Sequence, residues 1–569
     1  MDRSRRSCAG GVDYTEGREE ASDAEGLRVD FRWLYQMVLG YGGYSGAECK
    51  DVSPESLTRE WFESTGFREP VVVRSCPDGA QRMGMKLPEG EPLTVSRVVQ
   101  GVGLDCEVPT IDVAQQSEGP NYTLAQWEAY WNRRCRDDVD LEDSSSDEDD
   151  AIPATPPLRR AHHDARTRLL NVVSLSLAGS PLEEQIEPPT AVSECEMVRE
   201  VWPKNISYRP EVLKFALMSP AGSYTDFHLD YGGSSVWYHV VSGKKVFAVV
   251  PPTNENLQIF TAWAASAKQQ SVFLGEYMKG MIRVELGPGD TVLLPGGWPH
   301  AVATSRDSVV IGGNFLHRFN LRLQLEVWRV EDYLRVKPKF RFPHFRHLMW
   351  YTLDHIQHIL NRVGDFEGGK RHALELSIEN KGSCSCPIEA IAECRKRGHR
   401  AVTVEGLKVK VKSGIERGRS GAGMSNSKLK RIFPVLTRWE VEGIPILLFR
   451  LSHWLVSLSK DHVPADLPSP KVMLEEVCQA MQRAGYELSL PPPLIDLDGT
   501  VPGVMAKFKA SNLCIRGHDG DSGNDSDWAG DEDCDFNCSG KGTKRKRRKK
   551  GKMKSNVTRS RAKRVEVCQ

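Results

Sequence analysis

A chain of 569 residues with 40% hydrophobic content has room for roughly two to four structural units, each with a sizeable core. Its 14 cysteines are scattered and no secretory leader opens it, which points to a reducing compartment and excludes a disulfide-stapled secreted scaffold. No apolar run approaches the length that spans a bilayer, so no membrane partner is expected.

The formal net charge of zero conceals strong asymmetry along the chain. Residues 1–29 are polar and read as disordered. Residues 30–165 form a mixed, partly helical lead-in with an acidic loop at 136–162. Within it, Asp137–Asp150 holds nine acidic residues and no basic one. A solvated surface loop is the plain reading of such a block. Ser144, Ser145 and Ser146, each with an acid three residues on, also fit phosphorylation by an acidophilic kinase.

Residues 166–330 read as short strands. Val212–Met218, the segment around His228, Ser235–Val241, Lys245–Val250, Met281–Leu286, Thr291–Leu294 and Ser308–Ile311 are rich in β-branched and aromatic residues. Ser242-Gly243 marks a turn, and the Gly287–Asp290 (GPGD) and Pro295–Gly297 (PGG) segments break the runs. This pattern predicts a mainly β core, a double-stranded β-helix, with flanking α-helical elements and disordered tails. Residues 331–364 form a helical extension; Leu321–Trp328 before it and His344–Val363 within it carry helical apolar spacing. Residues 365–425 are a Gly-, Ser- and Lys/Arg-rich linker. Residues 426–490, with Trp439, Leu447, Leu448 and Trp454, form a small helical unit whose function is not legible. Residues 491–569 run from an acidic stretch at Asp519–Asp535 to Lys544–Arg564, which holds thirteen basic residues and no acidic one. That basic run suits nuclear import and sequence-independent contact with the DNA backbone. Cys384, Cys386, Cys394 and His399 match no zinc-module spacing, and coincidence is the better account of them.

The residues that carry chemistry are His228, Asp230 and His300. Two imidazoles and one carboxylate can occupy one face of an octahedral ferrous ion and leave the other face open. His-x-Asp alone is common by chance. In an extended strand, however, His228 and Asp230 point to one side, and Thr225, Phe227 and Leu229 to the other.

The chain resembles the JmjC family of iron(II)- and 2-oxoglutarate-dependent oxygenases, and within it the histone lysine demethylases of the KDM2/KDM7 (JHDM1/PHF-like) branch. The likeness rests on Tyr224–Gly233 (YTDFHLDYGG), Ser235–His239 (SVWYH), Gly243–Phe247 (GKKVF), Gly297-Trp298 with His300–Val302 (HAV), and Gly312–His317 (GGNFLH). It extends upstream to Leu57–Pro70 and Leu170–Leu175 and downstream to Lys339–Pro343, about half the chain in all. The resemblance implies that His228, Asp230 and His300 bind Fe(II). It implies that Thr225, Lys245, Tyr238 and Asn171 bind 2-oxoglutarate, and that O2 is consumed. Succinate, carbon dioxide and formaldehyde leave as an N-methyl group is hydroxylated and lost. Without the family, Thr225 and Tyr238 are ordinary strand residues, Lys245 fits a solvated turn equally well, and Trp298 and Phe315 are core.

Pro299 stands where this branch usually has an aliphatic residue. With Asn314 it is expected near the substrate pocket, with an altered methyl-state preference. The expected partners are the histone H3 tail and the nucleosome; mono- and dimethylated lysine-36 is favoured over lysine-9 and lysine-27. The preference rests on Pro251–Thr253, Phe273–Gly275 and Val336–Pro343, which lie nearer the KDM2 side. No PHD-type or CXXC-type cysteine array is found, and the expected location is the nucleus. A protein hydroxylase on the same fold and a non-catalytic chromatin adaptor are the alternatives.

Overall fold

The computed structural model describes residues 31–139, 168–365 apart from 267 and 268, and 436–504 apart from 459–461 and several positions after 483. The expectations for residues 1–29, for the linker, for the Cys384 grouping, for the acidic and basic runs of the tail and for nearly all of the acidic loop therefore fall outside the described residues.

Eleven strands form one hydrogen-bonded network. They are β1 (Lys50–Asp51), β2 (Val71–Val73), β3 (Ile111–Asp112), β4 (Ser117–Glu118), β5 (Leu170–Ser176), β6 (Phe215–Ser219), β7 (Tyr224–His228), β8 (Ser235–Val249), β9 (Ile282–Leu286), β10 (Thr291–Leu294) and β11 (His300–Phe315). Their order is β1-β2-β10-β8-β11-β6-β5-β3-β4, with β9 also on β8 and β7 also on β11. All pairs are antiparallel except β1 with β2. The two long strands β8 and β11 pair along their whole length. Their neighbours change halfway. The first half of β8 pairs with β10 and the second with β9; the first half of β11 pairs with β7 and the second with β6. Each long strand thus passes from one layer to the other, and both layers contribute to one cavity, the arrangement of a double-stranded β-helix.

One expectation is corrected here. Ser242-Gly243 is not a turn between two strands but lies inside β8, where the register with β11 shifts between Val240 and Lys245. Gly243 has φ +86°, and a Cβ there would lie 2.2 Å from the Asp307 carbonyl oxygen. A bulge with glycine in the left-handed region keeps the chain in the sheet while bending it. The local pattern of a bulge and a turn is the same; long-range pairing decides between them. For similar reasons β11 begins at His300, well before the predicted Ser308.

Seven helices matter for the site: α1 (Phe31–Gly40), α2 (Leu124–Val139), α3 (Met197–Val201), α4 (Leu321–Tyr333), α5 (Phe345–Asp365), α6 (Arg438–Ser457) and α7 (Pro470–Arg483). Helix α4 closes one end of the barrel against the Tyr231–Gly233 turn. Gly233 has φ +64°, and a Cβ on it would lie 2.9 Å from Gln324 Cα, so the Asp-Tyr-Gly-Gly motif lets a helix backbone approach. The helices expected as a separate unit at 426–490 pack as α6 and α7 into the hydrophobic cluster of α4 and α5, through Leu348, Leu353, Leu447, Leu451 and Met473. Trp328 of α4 meets Trp454 of α6 edge to face at 4.8 Å. Buried Arg318 ties three segments together: it bonds Glu200 of α3 at 2.8 Å through two nitrogens and also pairs with Glu440 of α6.

Candidate metal centre

His228 ends β7, and its cross-strand partner is His300, the first residue of β11. Direct pairing puts the two imidazoles side by side, with ring centroids 4.2 Å apart. Asp230 lies two residues beyond His228 in extended conformation, φ −63° and ψ 139°, before the Tyr231–Gly233 turn. Each of the three side chains offers a ligand atom within 4.8 Å of the others, and Nε2 of His300 stands 3.9 Å from Oδ2 of Asp230. Among the described residues this is the one such cluster.

The backbone sets the chemistry of these groups. Nδ1 of His228 lies 2.9 Å from the carbonyl oxygen of Asp226, and Nδ1 of His300 lies 3.0 Å from that of Trp298. A carbonyl only accepts, so each Nδ1 carries the hydrogen and each Nε2 lone pair is left for a metal. Burial pushes both imidazoles down to about 4, so both are neutral ligands at pH 7. Asn314 Nδ2 donates to Oδ1 of Asp230 at 3.2 Å and to Ser234 Oγ at 3.0 Å, which leaves Oδ2 toward the histidines. Desolvation raises the Asp230 carboxyl, opposed by His228 and by the Asn314 hydrogen bond.

These residues line a cavity of about 100 Å³ between the two layers, together with Asn171, Thr225, Tyr238 and Lys245. Lys245 is 2% exposed, and its ammonium donates to Thr304 Oγ1 at 2.8 Å. Burial brings it down to about 7 from 10.5, and no carboxylate contributes to that shift. A buried cation without a counter-charge is a binding site for an anion. Asn171, 3% exposed, also has an Oδ1 without a partner. A dicarboxylate fits this lining: the buried cation can pair with one carboxylate while the other end reaches the three ligand atoms.

Thr225 is the instructive case. Strict alternation predicts that it faces away from His228, yet both line the cavity. The pairing explains why. Val302 opposes Thr225 and Ala303 opposes Tyr224, whereas His300 opposes His228, so β7 holds one more residue than β11 across this stretch. That bulge reverses the parity of β7. Phe227 and Leu229 enter the hydrophobic core as alternation predicts. Tyr238 lines the cavity with its ring edge-on to Phe247, and Phe247 stacks on His300. Phe315 is fully buried and Trp298 is 8% exposed, both in core clusters.

Residues 158–320 match the family model of a cupin-like domain, and residues 319–384 match that of the Jumonji helical domain. Over these residues the chain is similar to JmjC-domain proteins. The chain is 34% identical over 342 residues to Lysine-specific demethylase 2A of Xenopus tropicalis, covering 58% of this chain and 27% of that protein. It is 36% identical over 310 residues to JmjC domain-containing histone demethylation protein 1 of Yarrowia lipolytica, covering 53% of this chain and 54% of the relative. Identity to Lysine-specific demethylase 7A of Danio rerio is 32% over 320 residues, covering 56% of this chain and 32% of the relative. The chain thus spans about half the length of the second of these and about a third or less of the others.

Within the cupin-like domain, the expected substrate-pocket residues separate. Asn314 lines the cavity but spends its amide on Asp230. Pro299 is buried outside the cavity lining, and its carbonyl accepts from Val250 N–H at 2.9 Å. With His300 turned inward, its neighbour in the strand must point outward. Sequence reasoning missed Thr304, which opposes Lys245 across β8 and β11. The signal was an even spacing, since His300, Val302 and Thr304 all line the cavity. The partnership with Lys245 needs the register.

Proposed function

We propose that this chain is an Fe(II)- and 2-oxoglutarate-dependent dioxygenase that removes methyl groups from lysines of histone tails. The observation that carries the reading is the convergence of His228, Asp230 and His300 on one point, beside a buried Lys245 ammonium that lacks a counter-charge. Kinship with the lysine-specific demethylases supports the same conclusion.

In this reading Nε2 of His228 and of His300 and Oδ2 of Asp230 would hold Fe(II). Asp226 and Trp298 carbonyls and the Asn314 amide fix the orientation of those ligands. Lys245, with Thr304 behind it, would pair with the distal carboxylate of 2-oxoglutarate. The Thr225 hydroxyl, the Tyr238 hydroxyl and the amide N–H of Asn171 would supply further polar contacts. With O2 and 2-oxoglutarate, the bound iron supplies the oxidising power that hydroxylates an N-methyl carbon. The protein's part is to position the groups and to keep water out, for which Leu217, Phe247, Leu294 and Val302 provide an apolar lining. No general base is needed, because the hydroxylated N-methyl group loses formaldehyde unaided. The favoured substrate is mono- or dimethylated lysine-36 of histone H3, acting in the nucleus, with the basic run Lys544–Arg564 touching the DNA backbone.

The test supplies Fe(II), ascorbate and 2-oxoglutarate with a panel of methylated histone peptides and nucleosomes, and His228→Ala as the control. Formaldehyde release with loss of one or two methylene masses from one peptide, absent in the control, supports demethylation and names the lysine. Gain of one oxygen mass with succinate formed would replace it with a hydroxylase. No succinate and no mass change on any substrate would refute the enzyme reading.

A further inference from the structure

We propose that Gln116, at the tip of the β3–β4 hairpin, is a positioning residue for the metal centre, holding the β7 bulge that turns His228 and Thr225 toward one cavity. This inference rests on the metal reading above.

Among the described residues, strand β7 is paired along one edge only, to β11. A bulge on such an edge has few bonds to hold it. Gln116 supplies them from the open side. Its Nε2 donates to the Tyr224 carbonyl at 2.9 Å, and its Oε1 accepts from Asp226 N–H at 2.9 Å. The carbonyl of one residue and the N–H of the second one on are the pair that an adjoining strand engages. One side-chain amide therefore replaces a missing strand, across the stretch where β7 carries its extra residue. The next link reaches the ligand. The carbonyl of Asp226, whose N–H Gln116 holds, takes the Nδ1 hydrogen of His228 at 2.9 Å. Hairpin, bulge and imidazole are thus joined by two consecutive hydrogen bonds.

The hairpin is built to hold this tip. Ile111 pairs with Glu118 and Asp112 with Ser117, and β3 is in turn anchored on β5, where Ile111 opposes Asn171. The Asp112 carboxylate accepts from the N–H groups of Ala114 and Gln115 at 3.0 and 3.1 Å, which curls the loop. Gln116 itself has φ +49°, a left-handed conformation that is strained for a non-glycine residue. Its Nε2 also donates to the Val113 carbonyl at 2.8 Å, so the amide is fixed before it meets β7. A strained residue whose side chain is committed at both polar atoms is held for its geometry. The hairpin also lies outside residues 158–320, so the centre of the cupin-like domain depends on the lead-in.

The test uses the full chain, with Mn(II) as the probe and the electron paramagnetic resonance signal of unbound Mn(II) as the readout. The parent is expected to bind one ion and His228→Ala none. Gln116→Ala is expected to bind roughly tenfold more weakly or worse, the usual cost of losing a partner that orients a ligand. Gln116→Glu keeps an acceptor for Asp226 N–H but has no N–H for Tyr224, so its affinity falls between the two. Glu118→Gln breaks the exposed ion pair with Lys339 on the same hairpin and should bind like the parent. A Gln116→Ala protein that binds Mn(II) as tightly as the parent overturns the proposal, and Gln116→Glu gives the same decision if the alanine variant does not fold. Weakened binding in Glu118→Gln to the same degree also overturns it, because hairpin stability rather than the clamp would be responsible. Absence of Mn(II) binding by the parent would refute the metal reading itself, and this inference with it.

Discussion

Replacing Lys245 with methionine should make the protein more stable and unable to hold 2-oxoglutarate. The ammonium is 2% exposed, touches the Thr304 hydroxyl, and is brought by burial from 10.5 to about 7. Because the folded value lies below the unfolded one, the unfolded chain binds more protons between about pH 7 and 10.5. Stability therefore rises with pH across that window, and the full penalty is present below it. At about 1.4 kcal/mol for each tenfold change in proton affinity, the penalty is on the order of 5 kcal/mol at its ceiling. Methionine has similar length and no charge, so Lys245→Met should relieve much of it near pH 6.5 and little above pH 10.5. The opposite sign holds for the ligand. A buried carboxylate stripped of its partner costs about 3–5 kcal/mol, more than a hundredfold in affinity. Denaturant titrations of the metal-free protein at several pH values, beside calorimetric titration of 2-oxoglutarate into the Mn(II)-loaded protein, measure both. A variant no more stable than the parent at pH 6.5, or one whose 2-oxoglutarate affinity falls by less than about tenfold, would refute the reasoning.

Glu331 offers a second pH test. Burial raises its carboxyl to about 8, one oxygen accepting from Gly232 N–H at 2.7 Å and the other without a partner. Here the folded protein binds more protons between pH 4.5 and about 8, so stability falls as pH rises through that window. Glu331→Gln should therefore melt higher than the parent at pH 8 and equally at pH 4.5, as read by thermal denaturation. Gly243→Ala places a Cβ 2.2 Å from the Asp307 carbonyl oxygen at a φ of +86°. It should cost at least about 1–3 kcal/mol in denaturant unfolding and weaken 2-oxoglutarate binding, since Lys245 is two residues away. Arg318→Met leaves Glu200 and Glu440 without their buried cation and should cost about 3–5 kcal/mol by the same measurement.

The three candidate ligands were legible because a metal site needs particular atoms, and His-x-Asp with a later His among strands supplies them. The core was legible for a similar reason: apolar residues at positions such as Phe227 and Leu229 can only face inward. What escaped the sequence depends on pairs of segments. Asn314 as the holder of Asp230 and Thr304 as the partner of Lys245 require the register of β11 against its neighbours. The docking of α6 onto α4 across residues 366–435 requires knowing which apolar faces meet. Trp439 illustrates this: its indole packs against Gly66 and donates to the Glu63 carbonyl, far back in the lead-in.

The sharpest limit on reading this site is parity, and it operates twice. In β8, Val236 and Tyr238 line the cavity at even positions and Lys245 and Phe247 at odd ones. Along β11, His300, Val302, Thr304 and Asn314 are all even, with Gly313 beside Asn314 also on the lining. Between the pairs Val240–Val310 and Lys245–Thr304, β11 takes six steps against five in β8, a one-residue offset that supplies the reversal. The β7 bulge does the same for Thr225. Lys245 and Thr225 would face away from His228 and His300 if the strands alternated without interruption. A cavity that gathers a cation and a hydroxyl onto the face of the candidate metal ligands needs a one-residue shift of register in each strand pair that brings them. The glycine at 243 and the glutamine at 116 then share one task, keeping those shifts of register where they are.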